Sequence, residues 1–224
     1  MTDKRELKPY HVEVALRAGR DEAWEALTQP PVLRQWFGWD YDGLDDEIRQ
    51  IFVTEAILVA PEQMSWADGS YLMVSGDDDA SVVRAVREGP PPADPDEYDA
   101  IEEGWRAFLT QLRFYLERRP AGRRRTVYLT GETTPRQAMG TVDADWQGFG
   151  SRTAWTVDAE GHLVVVGCRV PLDQPVAAHT ELTVSTYGLD DAAFEACRDD
   201  WVKRWAPLAD RAEVTFAGTP APGS

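Results

Sequence analysis

The chain of 224 residues carries 39 acidic against 23 basic side chains, a formal net charge of −16 with histidine neutral. A surface this acidic repels duplex phosphates and the anionic face of a membrane, so neither nucleic acid nor membrane is expected as a partner. Hydrophobic residues at 43% and charged residues at 28% exclude a disordered or membrane-embedded composition, and the length admits one large domain or two small ones.

The charge is unevenly placed. Between Asp40 and Glu103 eighteen acidic residues face only Arg49, Arg84 and Arg87, which predicts an acidic face able to meet a protein partner. Arg118, Arg119, Arg123, Arg124 and Arg125 follow as a basic connector. The two cysteines, Cys168 and Cys197, form no C-x-x-C motif, and the charged start Met1–Glu6 is not followed by an apolar leader. A reducing, cytoplasmic setting is the expectation.

Residues 10–18 alternate, with Val12, Val14 and Leu16 on one face and His11, Glu13 and Arg17 on the other, which predicts a strand. Asp21 and Glu22 open a short helix carrying Trp24 and Leu27, and Pro30-Pro31 ends it and starts another. Leu44, Ile48, Ile51 and Phe52 have helical spacing, and Val53 to Val59 is predicted as a strand. Met64–Trp66 and Tyr71–Val74 flank Asp68-Gly69, a hairpin turn, and Ser81–Arg87 follows as a further strand. After the proline-rich connector 89–93, Asp94-Pro95-Asp96-Glu97 has the capping grammar of a helix start. That helix is predicted to run to Arg118 with Ile101, Trp105, Phe108, Leu109, Leu112 and Leu116 on its apolar face. Gly104 within it costs about 1 kcal/mol relative to alanine, which points to a close approach by another element or, equally, to a glycine with no packing reason.

The same grammar then returns. Strands are predicted at Arg125–Gly131, Thr153–Val157, Leu163–Val170 and Glu181–Tyr187, with a helical turn at Pro135–Met139. Asp190-Asp191 opens a helix bearing Phe194, Cys197, Trp201 and Trp205. Two halves with one element order suggest a degenerate tandem repeat. The tail from Ala217 has a disordered composition.

The strand His11–Ala18, the segment Ala23-Trp24-Glu25-Ala26-Leu27-Thr28 and the segment Leu33-Arg34-Gln35-Trp36-Phe37-Gly38 occur in that order, before a helix containing Gly104-Trp105-Arg106-Ala107-Phe108-Leu109. Over residues 8–118 this resembles the SRPBCC superfamily, in the branch similar to the C-terminal domain of the activator of heat shock protein 90 ATPase. The resemblance implies an α+β helix-grip fold: a curved antiparallel sheet wrapped around a long C-terminal helix, with an apolar cavity between them. The domains expected are 1–120 for the recognisable copy and 121–216 for a degenerate second one, with 217–224 as tail. Residues 40–52, helical by spacing, depart from the family, and the second half lacks the tryptophan–phenylalanine pair.

No H-E-x-x-H, G-x-S-x-G, phosphate-loop or dinucleotide motif occurs, and His11, His162 and His179 are scattered. Neither metal nor cofactor is expected; Asp40–Glu47 is acidic but lacks calcium-loop spacing, and both thiols read as packed small hydrophobes. Most of the nine tryptophans read as core. Trp36, Phe37, Trp66, Trp105 and Phe108 are the residues expected to line the cavity and hold a small hydrophobic or amphipathic ligand. A non-catalytic binding module is therefore the expected function. The alternatives are a chaperone ATPase regulator docking through the acidic 40–103 face and, behind it, a cyclase- or hydrolase-type enzyme of the superfamily.

Overall fold

A computed structural model describes residues 8–90, 92, 94 and 96–221. The strand β1 (Tyr10–Leu16) alternates buried and exposed residues along its whole length, as a strand with one solvated face must. It is followed by α1 (Arg20–Thr28), α2 (Pro30–Leu33) and α3 (Leu44–Arg49), and α3 runs on into a π-helical turn, Gln50–Thr54. The short strands β2 (Ile57–Val59) and β3 (Gln63–Ser65) lead to β4 (Ser70–Gly76) and β5 (Ser81–Arg87). These five strands form one antiparallel sheet in the order β1-β5-β4-β3-β2.

The strand predicted at 53–59 is therefore shorter than its composition suggests. Gln50–Thr54 remains helical because Phe52 is drawn into the core beside Leu44 and Ile48. The helix α4 (Ala100–Arg118) begins later than the capping grammar at Asp94 suggests. Asp99 is the residue whose side chain accepts from the backbone N–H groups of Ile101 and Glu102, while Asp94 accepts from Asp96 in a separate turn. Pro95 lies outside the described residues.

The second half comprises β6 (Arg124–Thr133), α5 (Pro135–Met139), β7 (Gln147–Gly148), β8 (Thr153–Val157), β9 (Leu163–Cys168), β10 (Ala178–Tyr187), α6 (Asp191–Trp205) and β11 (Asp210–Thr215). Its sheet has the order β11-β6-β10-β9-β8-β7. Apart from the added edge strand β11, this is the order of the first sheet: the opening strand pairs with the last, and the others follow as a meander.

The layers are sheet, helix, sheet, helix. One side of α4 packs Leu109, Leu112 and Leu116 against the first sheet, in a core that includes Val12, Val14, Leu72 and Val83. Its other side packs Phe114 and Ala107 against Leu163, Val165, Trp155 and Val157 of the second sheet. The far face of that sheet meets α6, where Phe194, Trp201 and Trp205 close a core with Val127, Leu129, Val164, Val166 and Leu182. The apolar spacing of α4 thus marks one of two buried faces. The other buries Glu103, Thr110 and Gln111, and each is hydrogen-bonded, as burial of a polar group requires.

Two expectations drawn from charge are corrected. Arg124 does not belong to a solvated basic connector. It is 1% exposed, and its guanidinium donates to the carbonyls of Phe37 (2.9 Å) and Gly38 (2.8 Å), to Gln111 and to Ser185. Nor do residues 40–103 form one acidic face. Asp40 is fully buried, pairing with Arg34 and accepting from the backbone of Thr126, and Glu103 is buried against Thr153. Others stand near opposite ends of α4, a helix roughly 28 Å long. Glu102 meets Lys8 at its start, whereas the 77–79 turn sits by Arg20 near its finish, where Arg17 reaches Glu117.

The tail from Ala217 is likewise not loose throughout. Thr219 accepts from the backbone of Asp42 at 2.7 Å, and Gly218 donates to the Asp42 carboxylate at 3.1 Å; residues 222–224 lie outside the described part. No helix among the described residues is long and apolar enough to cross a membrane.

Candidate functional site

The segment Phe37–Asp40 is laid across β6 by alternate residues of that strand. Arg124 holds the carbonyls of Phe37 and Gly38, Thr126 bonds Asp40, and the Tyr128 ring stacks on Trp39 with centroids 3.9 Å apart and planes 4° from parallel. Tyr187 adds a bond from its hydroxyl to the carbonyl of Gln35, 2.7 Å. A strand presents every second side chain to one face, so a single strand of the second sheet fixes the whole segment of the first half.

This junction leaves a cavity of about 380 Å³ at the start of α4. Phe37, Trp39, Tyr41, Ile51, Tyr98, Ile101, Trp105 and Phe108 supply apolar and aromatic walls, and Glu47 and Glu181 supply carboxylates. A second, more open cavity of about 700 Å³ adjoins it, sharing Ile51, Ile101 and Trp105 and reaching Tyr10, Trp66, Asp68, Ser70 and Arg87 of the first sheet. Ile101, expected inside the helix's apolar face, stands 49% exposed at the mouth of both.

Of the five residues expected to line a cavity, Phe37 and Phe108 line the smaller one, Trp66 the larger one and Trp105 both. Trp36 lines neither. Its indole N–H donates to the carbonyl of Ala26 at 2.8 Å and its ring is sealed in the first core, because a buried tryptophan needs a partner for that N–H and α1 provides one. The four others form a chain of contacting rings: Phe37 lies 4.7 Å from Phe108, Phe108 6.0 Å from Trp105, and Trp105 6.2 Å from Trp66. On the face of α4 turned to the first sheet the expected space is filled by Leu109, Leu112 and Leu116, and the two aromatic-walled cavities lie around the first turns of α4.

Gly104 has a different reason from the one its helix penalty suggested. No element approaches it; a Cβ there would meet only the Phe108 ring, at 3.7 Å. The glycine faces the cavity and leaves it open. At Gly167 of β9 a Cβ would fall 2.8 Å from Oε1 of Glu181 on the neighbouring strand, so a larger residue there would displace the end of that side chain.

Trp39, Tyr41, Glu47, Tyr98 and Glu181 were not anticipated as lining residues. Each carboxylate is held on its Oε2 atom by a tyrosine hydroxyl: Tyr41 to Glu47 at 2.7 Å, Tyr128 to Glu181 at 2.6 Å. Burial, and then the adjoining carboxylate, push both tyrosines above their ordinary pKa, so both remain neutral donors across the physiological range. Glu181 alternates with buried neighbours in β10 like any strand residue, so only the assembled junction marks it out.

A second polar cluster, away from the cavity, joins residues the sequence leaves apart. In the β8–β9 turn, Asp158 accepts from the backbone of Glu160 and His162 and meets His162 Nδ1 at 3.0 Å. That carboxylate, and then the Cys197 thiol of α6, push the imidazole pKa up to about 10. Asp158, Glu160 and His162 also place ligand atoms within 4.8 Å of one another, with the Asp158 oxygens engaged by the turn itself. Cys168, by contrast, is buried on β9, which raises its thiol pKa to about 11 and leaves it a packed hydrophobe.

No family model matches the chain, and no curated relative does. Among solved structures, DynU16, a protein of the dynemicin biosynthetic locus, is similar to it over 88% of this chain and 95% of its own, at 17% identity and a TM-score of 0.35. The observed architecture is an α+β chain of two antiparallel sheets and two long helices.

Proposed function

We propose that the chain is a non-catalytic binding module holding a small amphipathic ligand in the cavity at the start of α4. The observation that carries this reading is the cavity itself: about 380 Å³, walled by aromatic rings, with a few fixed polar groups. Gly104 supports it, because a helix that accepts a glycine penalty of about 1 kcal/mol with nothing pressing on that position gains only open space. The repeated strand order supports the finer reading of two helix-grip copies, the second modified by β11. In that reading the ligand lies between the copies rather than deep within one.

Native mass spectrometry of the chain purified from its host tests the proposal. A retained small molecule that is lost in Gly104→Leu, whose added side chain would fill the cavity, is the expected result. A mass retained equally by that variant would place the ligand elsewhere, and ligand-free protein with no affinity for amphipathic probes would remove the reading.

A further inference from the structure

We infer that the ligand of this cavity is an organic ammonium ion with an apolar body, bound by the aromatic walls and by the carboxylates of Glu47 and Glu181. The inference rests on the cavity being a ligand site, as proposed above, and adds the sign of the ligand's charge. Six aromatic rings line the space, from Phe37, Trp39, Tyr41, Tyr98, Trp105 and Phe108, and no lysine or arginine is among its lining residues. Ring faces attract cations through their quadrupole, and they do so more strongly when water is excluded.

The carboxylates are built to receive charge. Each has one oxygen occupied by a tyrosine hydroxyl, and no other side chain or backbone group of the described residues bonds either Glu47 Oε1 or Glu181 Oε1. They come from opposite sides of the junction, Glu47 from α3 and Glu181 from β10. The tyrosines fix orientation without neutralising charge, since burial and the carboxylates keep both hydroxyls protonated. The guanidinium of Arg169 lies over the Tyr98 ring, 5.8 Å from its centroid, and meets that side chain, but is not among the residues lining the space. An anionic ligand would add a third negative charge with no lysine or arginine among the lining residues to meet it. A neutral one would leave two carboxylates partly desolvated for nothing.

The test is isothermal titration of the full chain with three probes of one length, decylammonium, decanol and decanoate, below their aggregation concentrations. Decylammonium is expected to bind at least about tenfold more tightly than decanol, and decanoate at least about tenfold more weakly. The combined Glu47→Gln and Glu181→Gln variant is expected to abolish the ammonium's advantage over decanol, both probes being titrated against the same variant. If that variant does not fold, Glu47→Gln alone, on the partly exposed α3, is expected to remove part of the advantage. Decanoate binding as tightly as decylammonium would overturn the inference. So would an advantage that survives in the variants, because it would then come from the net charge of −16. Decanol binding with no gain for the ammonium sinks this inference alone; no binding by any probe sinks the cavity reading with it.

Discussion

The first sheet buries one face and the second buries both, although their strands run in the same order. In β1 every second residue is exposed, and a half-buried antiparallel sheet reads this way in sequence. In β9 all six residues, Leu163–Cys168, are buried, because α4 covers one side of the strand and α6 the other. One topology therefore yields two kinds of strand, and the number of covering layers decides which. The difference also locates the site. Where α4 covers β8 and β9 the contact is mainly apolar, with the Thr153–Glu103 hydrogen bond as its polar member, but towards β6 and β10 it becomes polar throughout, with Arg124, Thr126, Tyr128, Glu181 and Ser185. The cavity lies on that polar side, with Glu181 in its wall.

Removing the polar latch is expected to have the largest effect. Arg124→Met leaves the carbonyls of Phe37 and Gly38 and the Gln111 side chain without their donor, and should cost about 3–5 kcal/mol in urea unfolding. Arg123→Ala, one residue away and exposed, should stay within about 0.5 kcal/mol. Equal losses from the two would mean that the second sheet is not latched through Arg124.

Adjacent-residue pairs separate the two sheets directly. Val164→Ala and Val165→Ala face α6 and α4 respectively, so each should cost about 2 kcal/mol. In β1, Val12→Ala should cost a similar amount and His11→Ala close to nothing. A neutral Val165→Ala would show that α4 does not cover the second sheet in solution.

Gly104→Ala should raise stability by about 1 kcal/mol, read as a higher midpoint in the same unfolding assay, because its new methyl meets only Phe108 at an ordinary distance. A loss instead of a gain would mean that another element does press on the helix there.

The last comparison sets the β8–β9 turn against its counterpart in the first sheet, the β3–β4 turn, which holds no histidine. His162 has a folded-state pKa of about 10 against 6.5 for the free side chain, so its contribution to stability is complete below pH 6.5 and disappears as pH rises through 10. The stability difference between wild type and His162→Gln should follow that course. A titration of the imidazole by NMR should show Asp158→Asn lowering the pKa, and an unchanged value would separate the ring from its carboxylate.

Most strands and both long helices could be located in the sequence from local pattern. Ser81–Arg87, Pro135–Met139 and Thr153–Val157 occur with the boundaries their alternation and punctuation suggest. Local pattern failed where a residue's partner lay outside its own helix or strand. Arg124 and Asp40 looked like members of charge runs, yet each is buried against groups more than eighty positions away. Trp36 looked as suited to a cavity as Phe37, its neighbour, and only the carbonyl of Ala26 separates their fates. The Asp158–His162–Cys197 contact had no signal in spacing at all.

By itself the sequence determined the periodicities, hence the elements, their polar and apolar faces, and the halting points at proline and glycine. Those depend on interactions a few residues apart, which composition and spacing encode directly. Tertiary structure alone decided that α4 would be covered on two sides, that Arg124 would reach back to Phe37 and Gly38, and that Glu47 and Glu181 would share one aromatic cavity. Desolvation of a charged side chain depends on what is folded over it, and a sequence read locally contains no record of that.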